Sequence, residues 1–139
     1  MRKRARAQEL YMSNRYFRDK VLTQDARQVL IAGSFNLSSA AAVGTTNFNG
    51  LVASVAKSAT GEYTVTLTDK YVALKSVQLT YQGANVNTRL ICKSADVTSA
   101  KTIVINTIIN SAGTDSIADV GTACTIHLTL LMRDSSVTH

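Results

Sequence analysis

The feature that most constrains this chain is an alternation of apolar and polar residues that begins at Gln28 and continues almost to the last residue. A period of two places alternate side chains on opposite faces of a strand, so each such segment predicts a strand with one buried face. The clearest segment is 62–68, where Tyr63, Val65 and Leu67 share one face and polar residues share the other. Strands without intervening helical patterns pair antiparallel through hairpins. The alternation therefore predicts an all-β protein.

The pattern predicts seven strands. The sixth is apolar on both faces in part, which is typical of a central strand. Ala59-Thr60-Gly61 predicts a tight hairpin, Gln82 to Asn85 a turn, 111–115 the start of a longer loop, and the small residues of 38–44 a connection with little to bury. Short strands at this spacing indicate an antiparallel β-sandwich, jelly-roll-like or immunoglobulin-like, with a barrel as the alternative. The predicted strands are 28–38, 48–57, 62–68, 76–82, 86–93, 102–109 and 122–133.

The first twenty residues, MRKRARAQELYMSNRYFRDK, differ in kind from the rest. They contain seven basic residues against Glu9 and Asp19, a local charge of +5, whereas the other 119 residues contain eight basic and seven acidic residues and contribute only +1. We therefore expect two parts: a basic, aromatic arm of residues 1–26, extended or partly helical, and a β-sandwich domain of residues 27–139. An Arg-rich start is also typical of a transit peptide, and no apolar run follows it that would predict a secretory signal.

The arm also carries three of the chain's eight aromatic residues. Arginine and aromatic side chains together are typical of protein interfaces, and they also stack on and neutralise nucleic acid. A stripe of apolar residues favours an amphipathic helix on a partner for part of the arm, while a merely solvated basic tail is the alternative. The predicted partner-binding residues are Arg2, Lys3, Arg4, Arg6, Tyr11, Arg15, Tyr16, Phe17 and Arg18.

The sequence offers little material for catalysis. His127 is the one candidate base, and its place on a Thr-bearing strand face predicts a solvated or interface histidine. Asp115 and Asp119 lie four residues apart in a predicted loop, but two carboxylates make a weak calcium site. Cys92 and Cys124 lack metal-ligand spacing and are expected to be reduced and buried. We expect no enzyme, no metal, no cofactor and no membrane span, since no apolar run reaches the 18 or more residues that a span needs.

Three stretches carry a resemblance to a known group of proteins. They are 61–71, which contains the hairpin motif Gly61-x-Tyr63-x-Val65-x-Leu67, then 74–82 and the final 126–133. With these stretches, residues 30–133 resemble small β-sandwich virion proteins of tailed bacteriophages, a group that includes head decoration, or cement, proteins. The pattern has no catalytic residues. It implies a compact sandwich, often trimeric, that binds the major capsid protein or other virion subunits.

From the resemblance and the arm together, we expect a structural protein of the phage head, made in the host cytoplasm and assembled into the virion. The alternatives are a tail, fibre or neck component, or a nucleic-acid-binding module that uses the basic arm. Four apolar residues lie on the strand faces opposite the predicted core. They suggest a homotrimer, because cyclic association would cover them. These residues are Leu30, Ile91, Val104 and Leu131.

Overall fold

A computed structural model describes residues 28–134, which form nine strands in two sheets. Sheet A contains four strands: β1 (Gln28–Leu37), β2 (Val43–Asn47), β5 (Ala73–Gly83) and β9 (Cys124–Arg133). Sheet B contains five: β3 (Val52–Ala59), β4 (Glu62–Leu67), β6 (Thr88–Asp96), β7 (Thr102–Ser111) and β8 (Thr114–Ile117).

The two sheets pack face to face as an antiparallel sandwich, which confirms the predicted fold class. The order in sheet A is β2-β1-β9-β5, and the order in sheet B is β3-β4-β7-β6, with β8 paired to β7 beyond the end of β4. Every strand pair is antiparallel. β7 lies in the middle of sheet B, as its two-sided apolar pattern predicts.

The core lies between the sheets and follows the period of two. In β9, buried residues alternate without interruption with residues that are partly or fully exposed. β4 repeats this pattern, with Tyr63, Val65 and Leu67 fully buried. Phe35 of β1 packs against Tyr63 across the sandwich, with ring centroids 6.0 Å apart. The other large, fully buried side chains are Ile31, Leu37, Ile103, Ile105, Ile126, Leu128, Leu130 and Met132.

The structure differs from the sequence prediction at two connections, each of which contains an additional short strand. Val43–Asn47, predicted as part of a connection, forms edge strand β2, and Thr114–Ile117, predicted as loop, forms β8. β7 and β8 are joined by a tight turn in which Ala112 and Gly113 both have positive φ. The turn after β5 joins sheet A to sheet B. The hairpin at Ala59-Thr60-Gly61 is confirmed, since it joins the paired strands β3 and β4.

Hydrogen bonds fasten the loops at the end of the sandwich remote from Gln28. The buried Tyr63 hydroxyl donates to the carbonyl of Ala41 at 3.1 Å, which ties sheet B to the loop after β1. The hydroxyl of Thr107 donates to the carbonyl of Ala118 at 2.6 Å, which holds the chain as it leaves β8. These bonds fix the loop between β1 and β2 and the crossing of the chain from β8 in sheet B to β9 in sheet A.

Gln28 and Arg133 are direct register partners at the other end of sheet A. The predicted arm therefore joins the sandwich at the start of an interior strand. The arm itself, residues 1–26, lies outside the described residues, and the division into arm and sandwich domain stays a prediction. The part of the chain that the structure describes contains no helix long and apolar enough to cross a membrane.

Candidate binding surfaces

The charged residues of the strands lie mainly on sheet B, where two pairs of opposite charge contact each other. Lys93 on β6 contacts Glu62 on β4 at 2.5 Å, across the outer face of the central strand. Arg89 of β6 forms an ion pair with Asp115 of β8. The five strands of sheet B carry six charged residues, three of each sign: Lys57, Arg89, Lys93, Glu62, Asp96 and Asp115.

Two carboxylates, one on sheet B and one in the loop after β8, are held in their charged form by hydrogen bonds. The hydrogen bond from Lys93, followed by one from Ser58, lowers the pKa of Glu62. Asp119, in the loop after β8, receives hydrogen bonds from Lys57 at 2.6 Å and from the backbone N–H of Gly61 at 2.7 Å. The bond from Lys57 contributes most to lowering the pKa of Asp119. Both carboxylates are therefore engaged by hydrogen bonds within the sandwich.

The outer face of sheet A is different, because it carries no charged side chain over four successive rows. We call these twelve residues the uncharged face. The register places Leu131 between Leu30 and Ser76, and the next three rows run in the same way across β1, β9 and β5. The rows, each in that strand order, are Leu30-Leu131-Ser76, Ala32-Thr129-Gln78, Ser34-His127-Thr80 and Asn36-Thr125-Gln82.

Polar side chains of the uncharged face bind one another across the strands. The hydroxyl of Thr125 donates to Asn36 Oδ1 at 2.9 Å. His127 Nε2 lies 2.7 Å from Gln82 Oε1, so the ring nitrogen donates to the amide oxygen. Four of the six residues in this face's last two rows are thus already hydrogen-bonded within the sheet. Burial of such groups costs less free energy than burial of polar groups without a hydrogen-bond partner.

The charged residues of sheet A lie at the border of the uncharged face. The four strands contain only Lys75 and Arg133. Lys75 occupies a β-bulge between Leu74 and Ser76, and Arg133 is the last residue of β9. The two outer faces of the same sandwich therefore differ sharply in charge.

The four apolar residues that suggested a trimer divide between these two faces. Leu30 and Leu131 are direct partners on the outer side of sheet A, whereas Ile91 and Val104 lie on the outer side of sheet B. Surfaces on opposite faces of one subunit generate an open stack, while a closed ring needs two surfaces inclined toward each other. One cyclic interface cannot cover all four, and the trimer stays a prediction.

The other candidate site residues have structural partners. His127 is exposed and bound to Gln82, as expected for a solvated or interface histidine. Asp115 and Asp119 bind Arg89 and Lys57, so they are engaged by different cations and not by each other. Among residues 28–134, no group of three potential metal ligands comes together.

Cys92 and Cys124 are free thiols on β6 and β9, and burial raises the pKa of each. Cys124 is buried, as predicted, whereas Cys92 is only partly buried. The prediction that both cysteines are buried is therefore confirmed for Cys124 and wrong for Cys92, because β6 is an edge strand of sheet B.

A shallow groove lies at the edge of sheet B between the turn after β5 and the hairpin of β7 and β8. Its lining includes Val86, Asn87, Arg89, Asn110 and Asp115. Asn110 Nδ2 donates to Asp115 Oδ1 at 2.8 Å, while Asp115 Oδ2 accepts from Arg89. The polar side chains of the groove thus bind mainly one another and hold the hairpin in place.

The nine partner-binding residues predicted in the arm all lie outside the described residues, so the structure brings none of them to a site. The net charge of the sandwich, however, shows where the basic residues of the chain are concentrated. Residues 28–134 contain seven basic and six acidic residues, a net charge of +1, so the surplus of the +6 chain lies in the first 27 residues.

The uncharged face is the surface that the sequence prediction missed. The sequence does show the lack of charge, since the outward positions of 30–36, 76–82 and 125–131 contain only Ser, Thr, Asn, Gln, Ala, Leu and His. The sequence does not show that these three strands are neighbours, because β9, the last of them along the chain, lies between β1 and β5 in the sheet.

Comparison of the chain with protein-family models, with curated proteins and with solved structures finds no match. The resemblance to phage virion proteins therefore remains a prediction based on the hairpin motif and the strand pattern.

Proposed function

We propose that this protein is a structural virion protein of a tailed bacteriophage, a head decoration protein that binds and stabilises the capsid through its sandwich and its N-terminal arm. The observation that carries the proposal is the separation of charge between the two parts. The sandwich carries a net +1 and pairs three of its basic residues with three of its acids, while the first 27 residues carry +5. A chain divided in this way suits a compact body that docks and a basic arm that reaches a neighbour.

The arm supplies two different kinds of contact in this proposal. Surface ion pairs contribute about 0 to 1 kcal/mol each, so the basic residues alone give an encounter that salt weakens. Buried aromatic anchors each cost about 2 kcal/mol or more when they are truncated, so Tyr16 and Phe17 determine how long the protein stays bound. A body and an arm that bind two capsid subunits together gain from effective concentration.

The proposal is tested on particles of the phage that encodes the chain, prepared with and without the protein. Particles without it should release their DNA at lower temperature, measured with a fluorescent dye that enters ruptured heads. Re-addition of the purified protein should restore the higher rupture temperature. Equal rupture temperatures in both preparations would contradict a cement role and favour the tail, fibre or neck alternative.

Two arm variants separate the contributions of charge and aromatic contact. Tyr16→Ala with Phe17→Ala should speed dissociation from particles at moderate salt, because the anchors are lost. Arg2→Ala with Lys3→Ala and Arg4→Ala should mainly slow attachment, because long-range attraction sets the association rate. Surface plasmon resonance on immobilised particles measures both rates. Tight binding of bare DNA that falls steeply with salt would instead support the nucleic-acid alternative.

A further inference from the structure

We propose that the uncharged face of sheet A is a self-association surface, on which a second copy of this chain packs face to face about a twofold axis. This inference concerns the isolated protein and does not depend on the phage proposal. It starts from the contrast between the two outer faces. Sheet B pairs charges with one another, whereas the twelve residues of the uncharged face include no Asp, Glu, Lys or Arg.

Depletion of charge is the compositional mark of the buried centre of an interface. The solvent-facing sides of antiparallel sheets ordinarily carry charged residues that keep the protein soluble and unpaired. Here the described charges of sheet A are at the border, at Lys75 and Arg133, which is where the polar rim of an interface would lie. The apolar pair Leu30 and Leu131 lies within the face, and Leu30 is 40% exposed in the single chain.

The lack of charge on the face also indicates what kind of partner binds it. An uncharged surface gains nothing from an acidic or basic partner, so the best-matched partner is another uncharged surface of similar shape. A second copy presents such a surface, and a twofold axis brings each residue of the face to the same face of the other copy. The two sandwiches, each with a net +1 over residues 28–134, repel each other little.

The size of the outer side of sheet A fits a weak but specific dimer. Its four strands, about 4.8 Å apart and up to about 33 Å long, give roughly 600 Å² per copy, or about 1,200 Å² in total, at the lower end of specific interfaces. The uncharged face fills about half of this area, and β2 with the border residues supplies the rest. Two sheets stacked in this way pack with their strands within about 30° of each other, as sheets inside a sandwich do. The internal bonds of Asn36 with Thr125 and of His127 with Gln82 reduce the number of polar groups left unpaired when water is expelled.

Sedimentation equilibrium of the full chain tests the proposal. The mass should rise with concentration, between about 1 and 200 μM, from the 14.9 kDa of one chain to about 30 kDa. High salt should not weaken the dimer, because no ion pair forms across the face and screening reduces the repulsion between two chains of charge +6. A chain that stays monomeric over this range, or that reaches the mass of a trimer, would overturn the proposal.

Charge insertion locates the interface. Ala32→Lys with Gln78→Lys places cations on both sides of Thr129 at exposed positions, and like charges in contact should weaken dimerisation at least about 100-fold. The matched control is Ser54→Lys with Ser94→Lys, which adds the same charge at exposed positions on sheet B and should leave the dimer intact. Thermal melts establish that both variants fold. A dimer that survives the first pair, or is lost equally in the control, places the contact elsewhere and contradicts the proposal.

Discussion

At the scale of single residues, Gly33 determines how closely the edge of sheet A can pack. It occupies an inward-facing position of β1, opposite Leu128, where Ile31 and Phe35 are the next buried neighbours. A side chain at Gly33 would collide with the backbone oxygen of Asn47 and with the ring of Phe48. The missing side chain thus makes room for the chain that follows β2, and Phe48 packs against the core at this point.

Gly33→Ala should therefore destabilise the protein although alanine suits a strand better than glycine does. The added methyl group meets backbone, which cannot rotate away, so we expect the free energy of unfolding to fall by roughly 1 to 3 kcal/mol. Urea denaturation measures this change. Gly121→Ala is the control, because a methyl group there meets nothing within 4 Å, and it should change the stability by less than about 0.5 kcal/mol. Equal stability of the two variants would show that Phe48 does not pack against Gly33.

At the scale of elements, the hairpin of β7 and β8 contains a residue in an unfavourable conformation. Ala112 and Gly113 have φ of 50° and 84°, the left-handed values that two-residue hairpin turns of type I′ require. Glycine adopts this region freely, but an alanine there costs about 1 kcal/mol or more. Ala112 is exposed, so no packing compensates for the strain.

Ala112→Asn should stabilise the protein, because Asn-Gly is the preferred sequence of this turn and asparagine tolerates the left-handed region. We expect a gain of roughly 0.5 to 1 kcal/mol in the free energy of unfolding, measured by urea denaturation. Ala100→Asn is the matched control in an exposed turn at a residue without positive φ, and it should bring no gain. A similar gain in both variants would mean that the turn conformation of Ala112 is not its cause.

The element scale also shows how far the sequence predicts the fold. The seven predicted strands are present because each buries one face and so leaves a period of two in the sequence. β2 and β8 were missed for the opposite reason, since β2 has one partly buried residue and β8 has none. Backbone pairing with a neighbouring strand forms these two strands, and pairing leaves no mark in the pattern of side chains. For the candidate site, the lack of charge was readable, but the adjacency of its strands was not.

At the scale of the whole molecule, the described residues 28–134 contain two paired sheets and one continuous buried core between them. The first 26 residues should therefore be dispensable for folding. A chain that begins at Arg27 should remain soluble, give a β-type circular dichroism spectrum and unfold cooperatively on heating. The full chain, measured in parallel, is the control. A truncated chain without a cooperative melt would show that the arm contributes to the core.

The pairing of Gln28 with Arg133 also has a consequence for synthesis on the ribosome. β1 lies between β2, which follows it directly, and β9, the last of the nine strands in the described residues 28–134. At about 5 to 20 residues per second, the roughly 90 residues that separate β1 from β9 take about 5 to 18 seconds to translate. During that interval β1 has an open edge, and Ile31 and Phe35 lack the cover of the finished sandwich. Nascent chains that stop before Cys124 cannot close sheet A, so the sandwich is completed only after β9 has been made.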